Sequence, residues 1–235
     1  MQKDAVRSAR RPAAGPEYDF WYGVARVGVG AVFRVGFRMR FEAIEHIPRT
    51  GGALLVYNHV SVLDPLPVAL AASRRGRRVR FLTVSDAFEQ RFVGWALRKT
   101  RQIPLRRGLG DWDAIGKIAD VLRSGSLAGM SPEGTVGDGT ALQPGQRGAA
   151  RIALLAGVPV IPVGVWGTQR RWGKEGPSRT LERPDLAVVA GLPIPPEGEA
   201  RSRPDVIAFT ERIMDGIRES ADRARARIRN RAGGR

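Results

Sequence analysis

The sequence predicts an α/β fold in one domain, with a sheet covered on both faces by helices. Three observations carry this. From residue 42 onward, apolar runs of strand length alternate with stretches whose apolar residues recur at helical period. Two of the runs, ALLVY (53–57) and VPVIPVGV (158–165), carry no polar side chain, as expected of strands buried on both faces. With 235 residues and 43% hydrophobic content, the chain is long enough for one good-sized core.

Residues 1–17, opening MQKDAVRSARRPAAGP, are basic, small and proline-containing, and read as a disordered tail without the apolar stretch of a signal peptide. Residues 18–41, YDFWYGVARVGVGAVFRVGFRMRF, come next. Wound as a helix, they place Arg26, Arg34 and Arg38 within about 120° of one another, and gather Phe20, Trp21, Val24, Val27 and Ala31 into a band of similar width that adjoins them. The arginines interrupt every apolar run before it reaches spanning length. Residues 18–41 therefore predict an amphipathic, membrane-associating helix, with packing against its own domain as the other reading.

Residues 42–218 carry the domain. ALLVY (53–57) is a strand, followed by the polar stretch NHVSVLDP and the helical LPVALAAS. RVRFLTVS (78–85) reads as a strand, FVGWALRKT (92–100) as a helix, and RQIPLRRG (101–108) as a strand ending in a basic loop. DWDAIGKIADVLRSG (111–125) has an apolar stripe at Ile115, Ile118, Val121 and Leu122, with Gly125 to stop it. SLAGMSPEGT (126–135) is a strand running into a Pro-Glu-Gly turn. GQRGAARIALLAGVPVIPVGVWG (145–167) is a helix, a turn and a buried strand, and DLAVVAGLPI (185–194) adds another strand. A last helix from Pro204 carries Val206, Phe209, Ile213 and Ile217 on one face. Beyond Arg218, alanine and arginine alternate and residues 219–235 read as a basic C-terminal tail.

Composition narrows the chemistry. Cysteine is absent and the two histidines, His46 and His59, are well separated, so thiolate chemistry is excluded and no metal site is expected. The formal charge is +16, nearly all from arginine, and reads either as a solvated basic surface or as the mark of an anionic partner. Arg74, Arg75, Arg77, Arg78 and Arg80 form a basic run, but no recognition motif or stacking platform accompanies it, so nucleic acid is not the expected partner.

Three polar clusters fall at strand ends, where α/β sheets place their sites. In VYNHVSVLD, His59 follows a strand and Asp64 lies five residues on. A neutral imidazole accepts a hydroxyl proton near neutrality, and a carboxylate on its other nitrogen fixes the tautomer. The competing reading makes Asp64 a helix N-cap ahead of Pro65. Arg106 and Arg107 in PLRRG suit a phosphate, or a solvated loop. Glu133 in SPEGT is either a turn carboxylate in water or a group that positions an arginine or an acceptor hydroxyl, and Gly134 allows close backbone approach.

Taken in order with VPVIPV downstream, these blocks resemble the PlsC-like glycerolipid acyltransferase family, best known for its 1-acylglycerol-3-phosphate acyltransferases. NHVSVLD is similar to the family's first block, QIPLRRG to the second, PEGT to the third and VPVIPV to the fourth. The resemblance spans roughly residues 40–195. It implies a mixed, mostly parallel sheet flanked by helices, with His59 as general base and Asp64 orienting it. Arg107, with Arg106 beside it, would contact the acceptor phosphate, and Glu133, Gly134 and Thr135 would belong to the acceptor site. The implied donor is acyl-CoA or acyl carrier protein, with no resident cofactor, and the implied acceptor is a lysophospholipid. Such an enzyme is expected as a peripheral protein on the anionic, cytoplasmic face of the cell membrane.

Three departures bear on the acceptor. Arg106 stands where the second block usually carries an acid, Val136 where the third continues with arginine, and Gln146 where a lysine is common. A different lipid acceptor, or an inactive membrane- or nucleic-acid-binding protein, are the alternatives. A serine hydrolase built on Ser61 is disfavoured, because two residues separate it from His59 and no G-x-S-x-G elbow occurs. Exchange of Asp64 for asparagine is expected to lower turnover while leaving stability nearly unchanged; a large stability loss would favour the N-cap reading.

Overall fold

ALLVY becomes the middle strand of a seven-stranded sheet. The structure, a computed structural model, describes residues 16–105, 112–178 and 182–232. Its elements are α1 (Pro16–Gly36), β1 (Arg38–Glu42), β2 (Ala53–Tyr57), α2 (Pro65–Arg74), β3 (Val79–Val84), α3 (Arg91–Lys99), β4 (Ile103–Leu105), α4 (Trp112–Arg123), β5 (Leu127–Met130), α5 (Gly148–Ala156), β6 (Val160–Trp166), β7 (Trp172–Gly173), β8 (Gly176–Pro177), β9 (Asp185–Ala190) and α6 (Arg203–Ala232). Residues 1–15, most of the tail read from composition, lie outside the described residues, as do Arg106, Arg107 and residues 233–235.

The sheet order is β1-β9-β6-β2-β5-β3-β4. Neighbours are parallel except β6 and β9, so β1 and β9 run against the other five strands. The carboxyl ends of β2, β5 and β6 therefore meet at one edge of the sheet. A separate hairpin pairs β7 with β8.

Every residue of β2 is buried, which is why ALLVY lacks polar alternation. Leu55 and Tyr57 face Val68, Ala71 and Ala72 of α2 and Phe33 of α1. Leu54 and Val56 face the other layer, built from α4, α5 and α6. Glycine sets one close approach: a Cβ on Gly164 would lie 2.0 Å from the Ser220 carbonyl oxygen, so α6 rests directly on β6.

At the termini the structure departs from the sequence reading. The helix expected over 18–41 ends at Gly36, and residues 38–42 form β1 on β9. Of the two readings of α1, packing against its own domain is seen on one face. Tyr22 and Phe33 bury one face in the domain, while Phe20, Val24, Val27 and Ala31 stay exposed on the opposite face. Trp21 sits between, edge-on to Trp95 of α3 at 4.8 Å.

At the other end, the span expected to be a tail continues α6 as far as Ala232. Ser220, Ala224 and Ile228 repeat at i+4 and are buried, the last two against Ala187 and Val189 of β9. The alternation of alanine and arginine hid a buried stripe of small residues, because small side chains carry little periodic hydrophobic signal.

Three arginines of the basic run at 74–80 serve the fold. Arg75 donates to the Ile47 carbonyl at 3.2 Å, and Arg77 to the carbonyls of Pro48, Gly51 and Gly125 at 2.7–2.8 Å. Arg78 forms an ion pair with Asp19 of α1.

Candidate active site

β2 ends at Tyr57, and Asn58 anchors the loop beyond it. The Asn58 amide donates to the Val165 carbonyl at 2.9 Å and accepts from the Val165 N–H at 2.7 Å. It continues the β2–β6 ladder by one side chain, so His59 leaves the sheet at a set point.

The His59 Nδ1–H donates to Asp64 Oδ2 at 3.1 Å. The same oxygen accepts from the N–H groups of Val60 at 2.8 Å and Ser61 at 2.7 Å. Oδ1 accepts from the Thr168 hydroxyl at 2.5 Å. The imidazole keeps 20% of its side-chain surface open while Asp64 is sealed. With Nδ1–H committed to the carboxylate, the other ring nitrogen, Nε2, is the one free to take a proton. Burial pushes the Asp64 carboxyl upward, and the His59 ring, the Thr168 hydroxyl and the Ser61 N–H pull it back.

The two readings of Asp64 can now be separated. It does occupy the N-cap position of α2, with Pro65 starting the helix, but its carboxylate makes no cap hydrogen bond. It turns back onto the loop and the histidine instead. Ser61 is fully buried and its Oγ accepts from the Leu63 N–H at 3.1 Å, which leaves it no access as a nucleophile. Tyr57, edge-on to His59, has its phenol pushed far upward by burial and by the Asp64 charge, so it does not titrate near neutrality.

Glu133 braces the main chain. Its Oε1 accepts from the His59 N–H at 2.6 Å and its Oε2 from the Gln143 N–H at 2.8 Å. Burial pushes this carboxyl up as well, against those two donors. The Gly137 N–H closes onto the His59 carbonyl at 2.7 Å, so the loop after β5 holds both sides of the His59 peptide. Gly134 has φ +71°, and a Cβ there would meet the Gln146 amide at 2.3 Å; Thr135 beside it is exposed. β4 stops at Leu105, immediately before Arg106 and Arg107, which lie outside the described residues. Among the described residues, no cluster of His, Asp and Glu is able to hold a metal ion.

Residues 38–166 match a family model described as Acyltransferase. The chain belongs to the acyltransferase family. It is 26% identical over 180 residues to a chloroplastic 1-acyl-sn-glycerol-3-phosphate acyltransferase of Brassica napus, covering 74% of this chain and 50% of that protein. A chloroplastic enzyme of the same description from Arabidopsis thaliana is 25% identical over 180 residues, covering 74% of this chain and 49% of its own length. The chain thus spans about half the length of these relatives. The crystal structure of the 1-acyl-sn-glycerophosphate acyltransferase PlsC from Thermotoga maritima shares the fold. Its TM-score is 0.68 at 22% identity, over 86% of this chain and 80% of that one.

On this acyltransferase-family domain, the first and third blocks stand at the carboxyl ends of β2 and β5, the second includes β4, and the fourth runs into β6. Thr168 escaped the sequence reading. It lies 104 residues from Asp64 and two past the family match, and its only signal is a polar residue just beyond a buried strand that neighbours β2. Thr168→Val is expected to cost about 1–3 kcal/mol of stability, since it leaves a buried carboxylate oxygen without its donor. Thermal melts check this, and Thr168→Ser, which keeps the hydroxyl, should recover most of the loss.

Proposed function

We propose that this protein transfers a fatty acyl group from an acyl thioester, acyl-CoA or acyl carrier protein, to a lysophospholipid hydroxyl. The acceptor that fits the relatives' names is 1-acyl-sn-glycerol-3-phosphate, and the product is then phosphatidic acid. The observation that carries the reading is the His59–Asp64 pair at the carboxyl end of β2, with the carboxylate sealed and the ring partly open.

In this reading His59 Nε2 accepts the acceptor hydroxyl proton as the oxygen bonds to the thioester carbonyl carbon. The tetrahedral intermediate collapses with cleavage of the C–S bond, and the leaving thiolate takes the proton from the imidazolium. Asp64 stabilises that imidazolium and holds its tautomer. No bond to the enzyme forms. Glu133 sets the His59 backbone from below, while Arg106 and Arg107 at the end of β4 receive the acceptor phosphate. Gly134 and Thr135 complete the acceptor side.

The substrate is a lipid, so the protein works at a membrane surface. Among the described residues, no helix is long and apolar enough to cross a membrane. The exposed ridge of α1 and the exposed Phe92 and Trp95 of α3 form an apolar surface with Arg91, Arg98 and Lys99 alongside, which suits peripheral binding to the anionic cytoplasmic leaflet. The test is acyl transfer from palmitoyl- or oleoyl-CoA to 1-acyl-sn-glycerol-3-phosphate in mixed vesicles, read as phosphatidic acid formed. No product with this acceptor or with any lysophospholipid would overturn the reading.

A further inference from the structure

At the sheet edge formed by β1, a cavity of about 330 Å³ is lined largely by arginine. Arg34 comes from the last turn of α1, Arg38 and Arg40 from β1, Arg74 from the last turn of α2, and Arg183 from the segment entering β9. No acidic residue lines it, and Asp185, the register partner of Arg38, is outside the lining. Among the described residues, none of these five guanidinium groups is in an ion pair.

The cluster is held in place. Arg183 donates through Nε to the Phe37 carbonyl at 3.1 Å and through Nη2 to the Arg34 carbonyl, so the free carbonyl end of α1 fixes one guanidinium. Arg74 lies over the Phe41 ring, with Cζ 4.4 Å from its centroid. Arginine does not discharge near neutrality, so these cations repel one another until an anion arrives. Several guanidinium forks around one concavity match the acceptor oxygens of a phosphate group.

We propose that this cavity binds the phosphate of an anionic lipid headgroup at a second site, distinct from that of the acceptor. Two observations select this ligand and place. Val35, 77% exposed, is the neighbour of Arg34 in the last turn of α1 and offers an acyl chain an apolar contact on the helix that supplies this arginine. The cavity also opens where β1 begins, level with the carboxyl end of β6 across β9, so it lies at the same end of the strands as His59. Three strand spacings separate β1 from β2, roughly 14 Å, whereas the hydroxyl and phosphate of a glycerol phosphate are only a few bonds apart. One acceptor molecule therefore does not fill both sites. The lipid source rests on the membrane-surface placement proposed above, but not on acyl transfer.

The test compares the full chain with Arg38→Gln/Arg40→Gln/Arg74→Gln and with a control of equal charge loss, Arg201→Gln/Arg203→Gln/Arg229→Gln. Binding is measured to phosphatidylcholine vesicles with and without phosphatidylglycerol, and to inorganic phosphate in solution. The cavity variant is expected to lose roughly tenfold or more of its affinity for phosphatidylglycerol vesicles, and the control no more than about threefold. Equal loss in both variants, or none in either, overturns the site. If the unsubstituted chain itself binds no vesicles and only the cavity variant loses inorganic phosphate, the phosphate site stands and its membrane source falls. Should the triple variant fail to fold, Arg38→Gln alone, which removes an exposed side chain, is expected to give a several-fold loss.

Discussion

His59→Ala is expected to reduce acyl transfer by roughly 10² to 10⁴ while leaving vesicle binding and acceptor KM nearly unchanged. The imidazole is the open member of the pair, and its Nδ1 is engaged by Asp64. On the proposed mechanism, the acceptor hydroxyl then has to lose its proton to water. The fold should survive, because Asp64 keeps the Val60 and Ser61 N–H groups and the Thr168 hydroxyl after the ring is gone. Turnover by His59→Ala within a few-fold of wild type, in a protein that melts normally, would remove His59 from the chemistry.

Asp64→Asn is expected to lower turnover by two orders of magnitude or more, in the range of general-base loss, with the melting temperature almost unmoved. The geometry allows this separation. An asparagine oxygen in the place of Oδ2 still accepts from His59, Val60 and Ser61, and its NH₂ then faces the Thr168 hydroxyl, which rotates to accept. The network persists, but the charge that stabilises the imidazolium in the proposed mechanism is gone. Burial already pushes the Asp64 carboxyl up, so a neutral amide costs the fold little. Asp64→Ala should behave differently: it strands two buried N–H groups and is expected to destabilise by about 1–3 kcal/mol for each. Kinetics and melts on both variants check the pair. Equal destabilisation by asparagine and alanine, with turnover per folded molecule unchanged, would make Asp64 a structural residue.

Much of the layout was legible in the chain. ALLVY, the helix stopped at Gly125 and VPVIPV all lie close to where strand and helix periodicity put them, because those signals depend only on neighbouring residues. The spacing of His59 and Asp64 was legible too, but not its meaning. Asp64 before Pro65 has the local chemistry of an N-cap, and the choice between capping α2 and orienting His59 is made by donors that converge in space. Residues 219–232 were misread because Ser220 and Ala224 are buried for their small size, which no hydrophobic pattern announces.

By itself, then, the sequence determined the alternation of strands and helices, the family blocks and the order in which they occur. These are properties of local periodicity and of short motifs. Tertiary structure alone decided that Thr168 reaches Asp64 across 104 residues, that Glu133 supports the His59 peptide, and that arginines from α1, β1, α2 and the approach to β9 surround one cavity. The physical reason is strand order. β6 and β5 flank β2, and β1 returns to the sheet beside β9. Groups far apart in the chain are thereby brought within hydrogen-bond reach or into one shared field.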